Sequence, residues 1–218
     1  MFKKSVFGAS VAALLAATSA HAATTAMATT DLNVRSGPGP QFEIVGVIDG
    51  NADVTVEGCL ETANWCKVSY EGTDGWSYGQ YLTAMVESEP VIVVENRDRV
   101  KVQTMTYDTT GATAAASGTA AAVIGGLIAG PAGAVAGAAI GAGLGVAADP
   151  GPQTITYVTE NPVDPIYLDG EVVVGAQFPE DIDVAFYDIP DAELQYAYVN
   201  GVPVLIDPEE RRIVYIVR

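Results

Sequence analysis

Between residues 31 and 83, apolar and polar positions alternate in short runs that end at glycine or proline. Residues 31–35 (DLNVR) lead into Ser36-Gly37-Pro38-Gly39-Pro40, a turn cluster that ends any strand. Residues 42–48, 53–59, 65–70 and 75–78 predict four more strands. Val54, Val56 and Gly58 alternate with polar neighbours, and Cys66, Val68 and Tyr70 lie on the opposite side of their strand from Trp65, Lys67 and Ser69. Five strands in about 50 residues, with this many turn residues, have to curl into a small barrel or sandwich. Residues 84–110 predict a β-hairpin or extended linker, with strands at 90–94 and 100–107 and a polar turn at Asn96-Arg97-Asp98. A lone hairpin is marginal in water and has to lean on something else.

The pattern then changes. After Asp108, residues 109–148 hold only threonine, serine, glycine, alanine, proline and aliphatic residues. Gly133, Gly137, Gly141 and Gly145 recur every four positions, and Gly126 and Gly130 form another such pair. On a helix this spacing lines the glycines along one face, a groove into which a second helix can settle closely. In water each interior glycine costs about 1 kcal/mol relative to alanine, so helix formation needs packing or an apolar solvent. Pro131 divides the run, which predicts a helical hairpin over 111–148, with a single kinked helix as the alternative. Gln103-Thr104-Met105-Thr106-Tyr107 and Gln153-Thr154-Ile155-Thr156-Tyr157 flank it, and are expected to pair as strands at its base.

Residues 149–218 return to short strands: 170–175, 184–187, 196–199, 202–206 and 213–217. Asn200-Gly201 is a strong two-residue hairpin signal. Pro203 cannot donate to a ladder, which suggests an edge strand.

Three resemblances follow from these residues. "LNVRSGPGPQFEIVGVI" and "WCKVSYEGTDGWSYGQYL" resemble the bacterial SH3 family of envelope and cell-wall-associated proteins, in the order L-N-V-R-x-G-P, W-x-K-V, G-x-x-G-W and Y-L. That resemblance implies a small β-barrel over 31–83, of a kind that often binds peptidoglycan or mediates protein contacts. "GEVVVGAQFPEDIDV" with "YAYVNGVPVLIDPEERRIVYIV" resembles an exported domain-of-unknown-function family, number 1236, implying a compact meander without assigned activity. The glycine run resembles glycine-zipper segments of bacterial outer-membrane and envelope proteins. The expected fold is therefore mainly β: an SH3-like barrel, a helical hairpin and a small C-terminal β-meander domain.

The N-terminus reads as an address. Lys3 and Lys4 precede an uncharged apolar stretch over 6–17, and Ala20-His21-Ala22 supplies small residues around a cut after Ala22. This is the layout of a secretory signal peptide over 1–22, and the stretch is well short of the ~20 residues that span a bilayer. Export to the periplasm or the outer membrane is expected. Cys59 and Cys66 then meet an oxidising compartment, where a structural disulfide is the default.

Charge and composition narrow the function. The net charge is -17, and removal of Lys3 and Lys4 takes it to -19, which argues against nucleic acid as a partner. His21 is the only histidine and lies in the segment to be removed, so the mature chain holds no Ser-His-Asp triad and no His-ligated zinc. Glu180-Asp181 with Asp183, or Asp207 with Glu209-Glu210, is better read as a solvated acidic face than as a calcium loop. No cofactor and no metal are expected. Arg35, Tyr70, Trp76 and Tyr78 are the candidate ligand-binding residues, since aromatics suit sugar or peptide recognition and Arg35 could pair a ligand carboxylate. For Arg35 an internal salt bridge to Asp31 or Glu43 is the alternative, and for Trp76, in the G-W turn, a place in the core. The resulting expectation is a non-enzymatic envelope protein that binds peptidoglycan or an envelope protein through the barrel, with the zipper associating with membrane or with itself. A periplasmic oligomerising protein without wall binding is the alternative, and a carbohydrate-active hydrolase comes third.

Overall fold

The computed structural model describes residues 23–107, 150–180 and 182–218. The helical hairpin expected over 111–148, with Gly126, Gly130, Gly133, Gly137, Gly141 and Gly145, lies outside the described residues, as does the signal peptide.

The first sheet is built from β1 (Thr24–Ala28), β2 (Leu32–Arg35), β3 (Ile44–Ile48), β4 (Asp53–Leu60), β5 (Trp65–Tyr70), β6 (Thr73–Tyr78), β7 (Leu82–Val86) and β8 (Glu89–Ile92), in the order β3-β2-β6-β5-β4-β1-β7-β8. A single 3₁₀ turn, Gly79–Tyr81, links β6 to β7. Alternation decides which side faces in: along β4, Val54 and Val56 are buried while Asp53, Thr55 and Glu57 are exposed. Two hairpins close on two-residue turns in which both residues take positive φ, Glu71-Gly72 (48° and 84°) and Glu87-Ser88 (52° and 71°). This mirror-image turn matches the twist of the flanking strands.

The hairpin expected within 84–110 is present but displaced. Glu87-Ser88 turns the chain, with no glycine to announce it, so β7 pairs β8 ahead of the expected pairing of 90–94 with 100–107. The expected turn at 96–98 belongs instead to a short helix, α1 (Arg97–Val100). The following strand, β9 (Thr104–Met105), runs parallel to the end of β4. Val93, Val94, Val100 and Val102 are buried, which ties the segment to the barrel.

The C-terminal part forms helix α2 (Gly151–Glu160) and a four-stranded meander, β10 (Tyr187–Asp188), β11 (Gln195–Val199), β12 (Val202–Asp207) and β13 (Arg212–Ile216). Residues 153–157 are helical, so they do not pair with 103–107 as expected. Pro152 stands at the start of α2, where its missing N–H costs nothing, and Val158 turns fully inward onto the sheet. The hydroxyls of Tyr198 and Tyr196 donate to the carbonyls of Val158 and Asn161 at 3.1 and 2.9 Å, fastening the helix down. Asn200-Gly201 makes the expected turn, with φ of 52° and 79°. Pro203 lies on β12, an interior strand rather than an edge. It stands opposite Tyr198, and its carbonyl accepts from the Val217 N–H at 3.0 Å, so the lost donor falls at the last rung beside β13. Residues 170–175 are not a strand, although Val172 and Val173 are completely buried.

The two parts share one core. Val34, Trp76 and Tyr81 of the barrel belong to the same apolar cluster as Leu168, Val172, Val173, Phe178 and Ile213. Burying a leucine or valine side chain contributes about 1.5–3 kcal/mol, so the seam formed by Leu168, Val172 and Val173 is a major source of cohesion. A smaller cluster under α2 joins Val158, Ile189, Tyr196, Leu205, Val214 and Val217.

Candidate functional site

All four side chains of β2 are buried, so the LNVR motif points its polar members into the molecule as well. Arg35 is 1% exposed and Glu171 is fully buried. The Arg35 Nε donates to Glu171 Oε2 at 2.5 Å and Nη2 to Glu171 Oε1 at 2.7 Å, a two-pronged pair between residues 136 positions apart. Nη1 donates to the carbonyls of Pro40 and Phe42, both at 2.8 Å, and Nη2 reaches the Asn200 carbonyl at 3.3 Å. All five guanidinium donors are thereby satisfied. The Asn33 amide and the Val172 N–H also donate to Glu171 Oε1, at 3.1 and 2.8 Å. Asn200 holds the approach: its Oδ1 accepts from the Leu168 N–H at 2.8 Å and its Nδ2 donates to the Gly170 carbonyl at 3.2 Å.

Arg35 is therefore not a free receptor for a ligand carboxylate, and its partner is neither Asp31 nor Glu43. Asp31 accepts instead from the Gly50 N–H and from Arg218. The carboxylate that Arg35 was expected to seek outside the molecule arrives from its own C-terminal part. One signal for this stood in the sequence, a single glutamate inside the apolar run 170–175.

The aromatic candidates separate in the same way. Trp76 is buried, with Tyr107 edge-on at 5.4 Å between ring centroids, and Tyr107 meets Phe42 at 6.1 Å. Tyr78 is buried between Trp65 (5.5 Å) and Tyr81 (6.1 Å), and its hydroxyl accepts from the Asn64 amide at 3.5 Å. Burial raises the Tyr78 and Tyr81 phenols above the usual tyrosine range. Trp76 and Tyr78 are thus core residues, which corrects their expected role as contacts. Tyr70 is the exception. It stands half-buried at the tip of the β5–β6 hairpin, and its hydroxyl donates to Asp49 Oδ2 at 3.4 Å. Residual desolvation, then the charges of Asp49 and Glu71, raise its pKa.

Cys59 and Cys66 are bonded to each other, directly opposite on β4 and β5. Gly79 is needed beside them: a Cβ there would lie 2.7 Å from the Cys66 Sγ and 2.3 Å from a Val94 methyl. The acidic stretch at 207–210 is a turn, in which Asp207 Oδ1 accepts from the Glu209 and Glu210 N–H groups at 2.9 and 3.2 Å. Among the described residues no group of three or more His, Cys, Asp or Glu is placed to hold a metal ion. Nor is any helix among them long and apolar enough to cross a membrane.

Residues 30–83 match the family model of the bacterial SH3 domain, and residues 157–218 match that of a domain of unknown function, DUF1236. The chain is similar to proteins named probable endopeptidase p60: 43% identical over 74 residues to that of Listeria welshimeri, and 39% over 82 residues to that of Listeria monocytogenes. It is 33% identical over 54 residues to a putative N-acetylmuramoyl-L-alanine amidase of Bacillus subtilis. These alignments cover 34, 37 and 25% of this chain, but only 14, 16 and 10% of the respective relatives.

Proposed function

We propose that this is a non-catalytic protein of the bacterial cell envelope that holds peptidoglycan or an envelope protein through its SH3-like barrel. One observation carries the reading. The likeness to relatives named probable endopeptidase p60 and putative N-acetylmuramoyl-L-alanine amidase covers about a third of this chain or less, and the SH3 match lies at 30–83. A form without residues 1–22 has no histidine, and Cys59 and Cys66 are bonded to each other, so neither a histidine base nor a cysteine nucleophile is at hand. The basic and apolar N-terminal segment and the Cys59–Cys66 disulfide support export to the periplasm or the outer membrane. In this reading the glycine run over 111–148 associates with membrane or with other copies of itself.

With Arg35, Trp76 and Tyr78 interior, Tyr70 and the exposed residues around it are what the candidate set still offers to a wall component. Co-sedimentation of the mature full chain with purified peptidoglycan sacculi tests the proposal. Saturable co-sedimentation, weakened by Tyr70→Ala with unchanged thermal unfolding, is expected; recovery of all the protein in the supernatant overturns wall binding. Membrane fractionation of wild type beside a Gly137→Leu, Gly141→Leu variant tests the zipper, and unchanged partitioning and oligomeric state would remove its role.

A further inference from the structure

Sheet edges present unpaired N–H and C=O groups, and proteins generally blunt them. Most edges among the described residues are blunted here. β8 carries Glu89 and Pro90, and β9 and β10 are two residues each. The outer side of β13 is covered by its own chain: Gly175 N–H donates to the Ile213 carbonyl, Ile213 N–H to that of Ala176, and Phe178 N–H to that of Arg211, at 2.8, 2.8 and 2.9 Å. β3 differs. Its sequence, Ile44-Val45-Gly46-Val47-Ile48, has no charge and no proline, and among the described residues its only ladder partner is β2. A bulge in the β2–β3 register bends the strand at Val45, which is 44% exposed, and leaves Gly46, Val47 and Ile48 as the regular stretch of this edge.

The surroundings of this edge are acidic. Glu43 and Asp49, both exposed, bracket the strand, and Glu71 stands on the β5–β6 turn. Thr73 of the same hairpin lies over Gly46, where an added Cβ would meet its methyl at 3.1 Å, so Tyr70 and Glu71 overlook β3. Asp49 and Glu71 both act on the Tyr70 phenol, which places the ring in their negative field. The basic side chains at 67 and 218 are already held by Glu57 and Asp31.

We infer that the β3 edge, with Tyr70, Asp49 and Glu71 beside it, is a docking site for an extended cationic peptide segment of a protein partner, which adds as a strand and sets a basic side chain against Tyr70. Main-chain pairing supplies the affinity in such strand addition, and the flanking side chains supply the selectivity. Charge complementarity selects the occupant: a second copy of this chain would bring its own Glu43, Asp49 and Glu71 to the same edge, while a lysine or arginine gains both carboxylates and the ring face. The inference rests on the barrel as the binding module and names the partner of its rim.

The test is a titration of the isotope-labelled mature chain with acetyl-Lys-Val-Thr-Val-Lys-amide, followed by amide chemical shifts. Acetyl-Glu-Val-Thr-Val-Glu-amide serves as the control. Saturable shifts confined to 43–49 and 70–73 with the lysine peptide, and none with the control, are expected. Val45→Lys, at an exposed position, should weaken binding by about tenfold or more by charging the edge. Tyr70→Ala should weaken it by about two- to fivefold. Equal response to both peptides, shifts elsewhere, or no shifts overturn the inference. So does a concentration-dependent dimer of the free chain that Val45→Lys abolishes, since the occupant is then a second copy. Binding to sacculi without response to the peptide removes this inference alone, whereas peptide binding without sacculus binding removes the wall-binding reading alone.

Discussion

The molecule contains two ion pairs of similar reach in opposite surroundings. At the seam between the barrel and the C-terminal part, Arg35 and Glu171 meet at 2.5 Å with almost no exposure. On the outer face of the barrel, Lys67 Nζ and Glu57 Oε2 are 2.9 Å apart, with side chains 39 and 38% exposed. The geometry is comparable, but the alternatives are not. When the outer pair parts, water receives both charges. When the inner pair parts, Arg35 and Glu171 are left in an apolar cluster with Val34, Leu168 and Val172 around them. Burial therefore turns a contact of small value into a condition for joining the two halves.

The largest test of this contrast removes one partner. Glu171→Ala should destabilise the disulfide-intact protein by about 3–5 kcal/mol, because the Arg35 charge then stays buried without a counter-ion. In a protein of this size that lowers the melting temperature by about 6–20 °C. Arg35→Ala should cost at least as much, since the Pro40 and Phe42 carbonyls lose their donor as well. The Arg35→Met, Glu171→Leu double variant should recover most of the loss, leaving mainly the cost of those carbonyls. Urea unfolding of the four proteins decides. A Glu171→Ala cost under about 1 kcal/mol would mean that the seam relaxes to admit water, and the contrast with the outer pair would fail.

The next effect comes from the other covalent or charged tie inside the barrel. Replacing both Cys59 and Cys66 by serine should cost about 2.5 kcal/mol, most of it through the freer unfolded chain. The seven-residue separation makes this loop short, which keeps the loss below that of Glu171→Ala. The denaturant midpoint should fall while the slope changes little. A loss larger than that of Glu171→Ala would show that barrel closure at Cys66, Gly79 and Val94, rather than the seam, limits stability.

What could be read from the chain follows the range of the forces involved. The strands at 65–70 and 202–206, the Asn200-Gly201 turn and the Cys59–Cys66 bridge were legible because each is set within a few residues, by alternation or turn chemistry. The partner of Arg35 was not, because a buried arginine can be satisfied by any carboxylate the fold delivers, here one 136 positions away. The helical state of 153–157 was hidden for the same reason. Gln153-Thr154-Ile155-Thr156-Tyr157 alternates well enough for a strand, and only the contact of Val158 with the second sheet, with Pro152 at the helix start, selects α2. Trp76 and Tyr78 looked like contacts because aromatics serve cores and surfaces alike, and Tyr107, which covers Trp76, comes from outside the recognisable barrel. Tyr70 alone of the candidate set remained at the surface, at a hairpin tip.

A smaller effect, of opposite sign, is expected at the Glu87-Ser88 turn. Both residues hold positive φ, which costs non-glycine side chains, and neither is a type that tolerates it well. Glu87→Asn with Ser88→Gly supplies the favoured mirror-turn pair and should raise stability by about 1 kcal/mol, or the melting temperature by about 2–4 °C. The turn joins β7 to β8, five strands and more from β2 in the order of the sheet, so its gain should add to the loss of Glu171→Ala within about 0.5 kcal/mol. Failure of additivity would show that the β7–β8 turn and the seam interact in the folded protein, which would blur the division between outside and inside.

The smallest effect belongs to the outer pair itself. Lys67→Ala, Glu57→Ala and the double variant form a cycle whose coupling should be about 0–1 kcal/mol, and near zero in 1 M salt, where screening acts within about 3 Å. Glu57 sits at a bulge, between Val56, which faces Val68, and Gly58, which faces Lys67. Its side chain is therefore free to leave the pair without moving the ladder. A coupling that survived high salt would mean that the bulge fixes the carboxylate and shields it from ions, and the pair would then behave as part of the interior. A coupling that vanishes on screening keeps exposure as the variable that separates the two ion pairs, at nearly the same interatomic distance.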